Sequence, residues 1–229
     1  MPRVLPSLCA LSFAFAGPAP ACDLALLLAV DVSGSVDHIE YAIQMRGIAG
    51  GLRDGAVAEA LVVGRARVGL MQWTGSSRQE FSVAWTAIDG FEDVDRLADT
   101  IEALPRRWRN FATAIGEAER VALQKILEVR DCQRKVIDIS GDGTSNEGQD
   151  PAAMRAVLGA AGVTVNALAI EGAEDDLTGY FWENVITGEG AFVVTASGFE
   201  EFADKMRHKL RREVTRQVSA LAPGQAGSR

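Results

Sequence analysis

The sequence predicts an α/β fold with a doubly wound, mostly parallel six-stranded sheet and helices on both faces. Apolar, β-branched segments alternate with amphipathic helical segments through most of the 229 residues. The first of these segments, Leu24 to Val30, is apolar without interruption, which is typical of a strand buried on both faces of a sheet. Small polar side chains follow it directly, at the strand end where open α/β sheets bind ligands.

A helix with clear start and stop signals follows the first strand. Asp37 and Glu40 have the spacing of a capping box, in which each side chain accepts a hydrogen bond from the other residue's backbone N–H. The helix is predicted to run to Arg53, because Asp54-Gly55 breaks the pattern. Its apolar face comprises Tyr41, Met45, Ile48 and Leu52.

Two strands and two helices are predicted next. Residues 67–73 and 79–85 are joined by a short turn, which favours an antiparallel hairpin at the sheet edge. A helix is predicted over 94–104, closed by the proline that follows it, and another over 113–129. The loop between these helices carries the basic, aromatic run Arg106-Arg107-Trp108-Arg109.

The remaining elements continue the alternation. The fourth strand, 135–140, ends at Gly141-Asp142-Gly143. Asp150-Pro151 then forms an N-cap with proline at the first helical position, and the helix is predicted to end at Gly162. The last predicted elements are a strand, a helix, a short strand and an amphipathic helix, over 163–170, 175–186, 191–194 and 199–216.

The chain divides into a leader, one domain and a tail. Residues 1–21 combine an arginine, an apolar stretch too short to span a bilayer and the small-residue site Ala19-Pro20-Ala21, which is typical of a secretory signal peptide. Residues 22–216 form the predicted domain, and 217–229 are expected to be a disordered tail. We therefore expect a secreted, periplasmic protein.

The charge balance narrows the class of partner. A formal net charge of −8 argues against binding to nucleic acid and favours cations or basic partners. The basic run at 207–212 in the last helix would allow contact with a membrane surface, although its position also suits the helix dipole. Because the whole chain is acidic, membrane contact is a secondary expectation.

Two cysteines remain after the leader, and an even pair in an exported protein favours a disulfide. Cys22 lies nine residues before Asp31, and Cys132 lies ten before Asp142. If the two strands are parallel neighbours, both thiols lie at the edge opposite the acids, within bonding reach. The alternative is a lipid anchor on Cys22, although Ala19-Pro20-Ala21 lacks the leucine usual three places before a lipidated cysteine.

Oxygen-bearing side chains gather at the ends of the first and fourth strands. Asp31, Ser33 and Ser35 alternate after the first strand, Asp142 ends the fourth, and Thr113 opens a predicted helix. Carboxylates and hydroxyls without His or Cys are hard ligands that suit Mg²⁺, with Mn²⁺ as the alternative. The competing interpretation is that the acids cap helices and the serines satisfy tight turns.

The pattern Asp31-x-Ser33-x-Ser35, with Thr113 and Asp142-Gly143 at these separations, resembles the metal-ion-dependent adhesion site of von Willebrand factor type A domains. The order of strands and helices over 23–216 is also similar to that family, so the resemblance covers nearly all of the predicted domain. It implies a Rossmann-like topology and a binding function.

The resemblance also implies a role for each residue. Ser33 and Ser35 would bind Mg²⁺ through their hydroxyls, and Thr113 would bind it directly or through water. Asp31 and Asp142 would act mostly through water while balancing the charge of the metal. A carboxylate from a protein partner would complete the octahedron.

Two further stretches bear on the resemblance. Cys22-Asp-Leu-Ala-Leu and Ile137-Asp-Ile-Ser-Gly-Asp-Gly are similar to a bacterial secreted subgroup of the family. The family often has Gly-Gly just before the threonine, where this chain has Phe111-Ala112. Thr113 is therefore the candidate ligand whose surroundings depart most from the family pattern.

The primary functional hypothesis is a secreted, non-catalytic adhesion module that binds a protein or another carboxylate-bearing partner through the metal. The alternative is a metal-dependent hydrolase at the same strand ends, with Ser33 or Ser35 as nucleophile and His38 or His208 as base. No Gly-x-Ser-x-Gly elbow is present. Asp138, inside the fourth strand, has two interpretations: support for the metal site, or a structural ion pair.

Overall fold

The computed structural model describes residues 22–172 and 176–220, except for the side chains of 216–220. These residues form a six-stranded sheet in the order β3-β2-β1-β4-β5-β6. All neighbouring strands are parallel except β2 and β3, which are antiparallel, so the predicted α/β class and mostly parallel sheet are confirmed. The strands are β1 Cys22–Asp31, β2 Arg67–Trp73, β3 Gln79–Ala87, β4 Cys132–Gly141, β5 Val163–Ile170 and β6 Val193–Ala196.

Helices cover both faces of the sheet. The core beneath α1, α2, α3 and α7 includes Leu26 and Leu28 of β1, whereas the core beneath α4, α5 and α6 includes Leu27 and Ala29. The central strand is therefore buried on both sides, as its uninterrupted apolar sequence predicts. The helices are α1 His38–Leu52, α2 Gly55–Val63, α3 Phe91–Glu102, α4 Ile115–Ile126, α5 Pro151–Ala160, α6 Leu177–Asn184 and α7 Phe202–Ala220.

The disulfide joins the amino-terminal ends of β1 and β4. Cys22 and Cys132 are opposite each other in the parallel register, with an S–S distance of 2.07 Å, and the predicted bond is confirmed. The same register places the carboxyl ends of the two strands side by side. Because the bond uses the Cys22 sulfur, it is incompatible with the alternative of a lipid on that atom.

Most helix boundaries differ from the predicted ones by a few residues, and two of the differences have a clear physical cause. Asp54 does not simply break the first helix, because its side chain accepts a hydrogen bond from the Val57 N–H and caps α2, which the sequence pattern missed. The last helix continues to Ala220 rather than ending near Arg216, since residues 202–220 contain neither proline nor glycine. The expected signal peptide, 1–21, and residues 221–229 of the expected tail lie outside the described residues.

A buried ion-pair cluster attaches α7 to the sheet. The Lys209 ammonium lies 2.5 Å from a carboxylate oxygen of Asp138 and 2.8 Å from one of Glu213, and all three side chains are buried. Asp138 therefore forms a structural ion pair, which was one of its two interpretations. Arg211, in the same basic run, pairs with Asp54, so 207–212 does not present a continuous free basic face. No described helix combines the length and apolar character needed to cross a membrane.

Candidate metal centre

Four of the five predicted ligands form one hydrogen-bonded network at the carboxyl ends of β1 and β4. Asp31 Oδ1 accepts a 2.7 Å hydrogen bond from the backbone N–H of Ser33. The hydroxyls of Ser33 and Ser35 lie 3.2 Å apart, and Ser35 donates to Asp142 Oδ1 at 2.6 Å. The two strand ends thus place two carboxylates and two hydroxyls within a single polar cluster.

The inner side of this cluster is fully buried. Asp31 and Ser33 have no exposed surface, and Asp31 Oδ2 has no hydrogen-bond partner among the described residues. Burial, together with repulsion from Asp142, raises the pKa of Asp31 from 3.8 to about 8. A cation beside these carboxylates would supply the missing partner and relieve the repulsion, so the residues fit a metal ion.

The chemistry of the donors indicates which metal classes fit. No group of three or more His, Cys, Asp and Glu side chains that could hold a metal occurs within the described residues. The candidate donors are instead two carboxylates with hydroxyls, a set typical of a hard cation that keeps several water ligands. This composition agrees with Mg²⁺ or Mn²⁺ better than with a tightly caged zinc ion.

Thr113 lies in the loop before α4 rather than at the start of the helix. Its N–H donates to the Asn146 side-chain oxygen at 3.0 Å, and its carbonyl accepts from the Asn146 N–H at 2.9 Å. Thr113 is therefore held by the loop that follows Asp142. Thr113 is itself buried, with 5% of its surface exposed.

The two residues before Thr113 contact the centre's surroundings through their backbone carbonyls. The carbonyl of Phe111 accepts from the Gly34 N–H at 2.8 Å, and that of Ala112 accepts from the Thr74 hydroxyl at 2.9 Å. The Phe111 ring is 36% exposed and stacks under the Arg78 guanidinium, 3.6 Å from the ring centroid. Where the family often has Gly-Gly, this chain therefore carries an aromatic ring at the surface beside the centre.

Two further residues shape the centre, and the sequence analysis assigned neither of them a role there. Arg106 donates to the carbonyls of Val32 and Ser33, at 3.1 and 2.8 Å, and so fixes the serine-bearing loop. A Cβ at Gly141 would lie 3.2 Å from Asp31 Oδ2, so any other residue there would crowd the Asp31 carboxylate. The sequence showed Arg106 only as part of a basic run. Its contact with the carbonyl of Val32 could not be predicted, because the two residues are 74 positions apart.

The comparisons with known proteins bear first on the fold. Proximal thread matrix protein 1 from the mussel byssus is similar with a TM-score of 0.64 and 21% identity, over 83% of this chain and 47% of that one. The pilus adhesin SpaC from Lactobacillus rhamnosus GG has a TM-score of 0.62 and 13% identity, over 88% and 31% of the chains. This chain thus spans less than half the length of either protein. Because the identities are below 25%, the likeness shows a shared fold alone.

A third similar structure matches over nearly its full length. It is an aerotolerance-related membrane protein from Bacteroides fragilis, with a TM-score of 0.55 and 15% identity over 84% of this chain and 99% of that one. Another structure of the mussel protein is described as having a zinc-occupied metal-ion-dependent adhesion site, at a TM-score of 0.63 and 16% identity over 85% of this chain and 46% of that one. These proteins share a von Willebrand factor A-like fold with this chain.

Sequence comparison assigns the family. No curated protein matches the sequence. The family described as "Protein of unknown function (DUF1194)" matches residues 21–218, which include every described strand and nearly all of α7. The chain therefore belongs to this family, and its fold is that of a von Willebrand factor A-like domain.

Proposed function

We propose that the chain is a divalent-metal-dependent adhesion module that binds a carboxylate on a protein partner. The observation that carries this proposal is the network of Asp31, Ser33, Ser35 and Asp142, in which a fully buried carboxylate oxygen has no hydrogen-bond partner among the described residues. These residues and Thr113 would hold Mg²⁺ or Mn²⁺ directly or through water. The bound metal would supply a positive centre for the partner's carboxylate.

Similar structures and the shape of the surface support this proposal. A pilus adhesin and a matrix protein share the fold, and the matrix protein has been described with zinc at the corresponding motif. A cavity of about 360 Å³ opens beside Ser35 and Asp142, so a partner's side chain has room to approach them.

The contacts of the serines support binding rather than hydrolysis. The hydroxyls of Ser33 and Ser35 bond to each other, and Ser35 also donates to Asp142. Within the described residues, neither histidine forms a hydrogen bond with these serines. His38 and His208 are both exposed, on α1 and α7. The hydrolase alternative requires a histidine base within hydrogen-bond reach of a serine nucleophile, and neither histidine meets that requirement, so we favour a non-catalytic module.

The disulfide supports a site of action outside the cytoplasm. Disulfides persist in oxidising compartments, and Cys22–Cys132 joins two central strands. Together with the signal-peptide pattern of residues 1–21, it leads us to propose a secreted, periplasmic protein.

Calorimetric titration of Mg²⁺ into the wild-type protein and the Asp31→Ala variant tests the metal centre. We expect binding by the wild type and at least about tenfold weaker binding by the variant. Asp131→Ala is the matched control, because Asp131 is an exposed carboxylate at the opposite end of β4. Equal Mg²⁺ binding by all three proteins would contradict the proposal.

A capture experiment separates adhesion from hydrolysis. We expect the immobilised protein to retain a partner from cell-envelope extract with Mg²⁺ and to release it on addition of EDTA. Failure to retain a partner, with metal-dependent release of hydrolysed fragments instead, would favour the hydrolase alternative.

A further inference from the structure

The loop between α3 and α4 forms one wall of the candidate metal centre. Gly34, which lies between the two serines, donates its N–H to Phe111. A Cβ at Gly34 would also lie 3.4 Å from the Cα of Asn110. A ligand held at the serine hydroxyls therefore meets the residues of this loop.

Three arginines on and beside this wall form no salt bridge with a carboxylate of the described residues, although Asp31 and Asp37 attract the charge of Arg106. We call Arg78, Arg106 and Arg109 the basic rim. Arg78 stacks on the exposed Phe111 ring, and Arg106 donates to the carbonyls of the serine-bearing loop. Arg109 is exposed and makes no hydrogen bond or ion pair within the part of the chain that the structure describes.

The basic rim contrasts with the rest of an acidic chain. The formal net charge is −8, and carboxylates are abundant enough to pair many arginines. Seven arginines form salt bridges, one of them, Arg107, in the same loop: Arg53, Arg65, Arg67, Arg96, Arg107, Arg207 and Arg211. Outside the rim, Arg46, Arg120, Arg130, Arg155 and Arg212 also form no salt bridge among the described residues, so the rim is distinguished by its place beside the centre. Because the rim cations have no such partner, an acidic ligand would gain their attraction without breaking an existing ion pair.

We infer that the basic rim docks an acidic polypeptide segment, with one carboxylate at the candidate metal centre and neighbouring carboxylates on Arg78 and Arg109. This inference rests on the proposed function, because the first carboxylate is assumed to reach the metal. Guanidinium groups bind carboxylates through paired N–H donors, and exposed charges also speed the encounter of oppositely charged partners. Arg106 has its donors on the loop carbonyls, so it acts as a positioning residue.

Fluorescence anisotropy with two labelled peptides tests the inference on the full chain at saturating Mg²⁺. One peptide contains six aspartates, and the other contains one aspartate and five serines. We expect the first to bind about tenfold more tightly at low ionic strength and to lose most of this advantage at high salt. Arg78→Gln and Arg109→Gln should each reduce the advantage several-fold, whereas Arg120→Gln, an exposed arginine of α4, should leave it unchanged.

The outcomes separate this inference from the proposed function. Equal affinity for the two peptides, with Mg²⁺ and the single-aspartate peptide both bound, would overturn the basic rim while supporting the metal centre. Absence of Mg²⁺ binding would overturn both. Binding to phosphatidylglycerol vesicles in EDTA, lost in the same arginine variants, would assign the rim to a membrane surface and overturn the inference.

Discussion

The hydroxyl of Ser35 donates a 2.6 Å hydrogen bond to Oδ1 of Asp142, 107 residues further along the chain. This bond joins the loop after β1 to the loop after β4. The candidate centre is therefore assembled from two neighbouring strands, and its geometry depends on their register as well as on local turns.

Replacing Ser35 by alanine should weaken Mg²⁺ binding by about 10- to 100-fold, because it removes a candidate ligand and the bond that orients Asp142. Calorimetric titration measures the effect. Ser76→Ala is the control, because the Ser76 hydroxyl also donates to a carboxylate, that of Glu147, at 2.7 Å outside the centre. Similar loss in both variants would mean that the effect is not specific to the centre.

Replacing Glu119 by leucine should stabilise the protein by about 1 to 3 kcal/mol. Glu119 has no exposed surface, and neither of its carboxylate oxygens has a hydrogen-bond partner among the described residues. Burial raises its pKa well above 4.5. Urea unfolding measures the gain, with Glu128→Leu, at an exposed position, as control.

The gain in stability from Glu119→Leu should increase with pH. The unfolded chain releases the Glu119 proton near pH 4.5, whereas the folded state retains it to higher pH because the pKa is raised. The folded state therefore binds more protons, so this group's contribution to stability falls as pH rises above about 4.5. If the free energies of unfolding of wild type and variant differed by the same amount from about pH 5 to pH 8, the burial of a titrating Glu119 would be contradicted.

Replacing Lys209 by methionine should destabilise the protein by about 3 to 5 kcal/mol, because two buried carboxylates would lose the cation between them. Those carboxylates belong to Asp138 and Glu213. Lys205→Met, which removes an exposed pair with Glu201, should cost less than about 1 kcal/mol. Comparable urea midpoints for the two variants would show that the buried cluster does not stabilise the attachment of α7.

Two glycines of α1 should respond to alanine with opposite signs. A Cβ at Gly47 would lie 2.7 Å from the Phe202 ring, so Gly47→Ala should destabilise by about 1 to 3 kcal/mol. A Cβ at Gly50 meets no atom within 4 Å, so Gly50→Ala should stabilise by about 0.5 to 1 kcal/mol through helix propensity. Thermal unfolding measures both, and a stable Gly47→Ala protein would contradict the close packing of α1 on α7.

Removing the disulfide should cost about 4 to 5 kcal/mol in the chain-entropy account, because its ends are separated by 110 residues. The double variant Cys22→Ala/Cys132→Ala should therefore unfold at lower urea than the wild type. A reducing agent should lower the wild-type midpoint and leave that of the variant unchanged. Sensitivity of the variant to reductant would show that another effect is responsible.

The sequence predicted those features that local chemistry decides. The uninterrupted apolar run gave β1, and the cap at Asp37 and Glu40 gave α1, which the structure shows with both capping-box hydrogen bonds. The motif positions at the strand ends were also visible, because residues that alternate after a strand can project into one space. Asp31, Ser33, Ser35 and Asp142 follow this rule.

Features that depend on distant contacts could not be predicted. Arg106 bonds to a loop 73 and 74 positions earlier, and Lys209 pairs with Asp138 across the fold. The helix α2 was missed because its alanine- and valine-rich sequence has no polar face, so no period marks it. Thr113 was placed in a helix because its Asn146 contacts, which hold it in the loop, come from another segment.

The strand order determines how late in synthesis the first described strand can pair on both sides. β1 is the first strand made, yet it lies between β2 and β4, and β4 ends only at Gly141. Until that residue has left the ribosome, one edge of the most apolar strand has no neighbour and remains open to pairing with other chains. The β1 edge that pairs with β4 is therefore exposed to mispairing until residue 141 of the 229 has been synthesised.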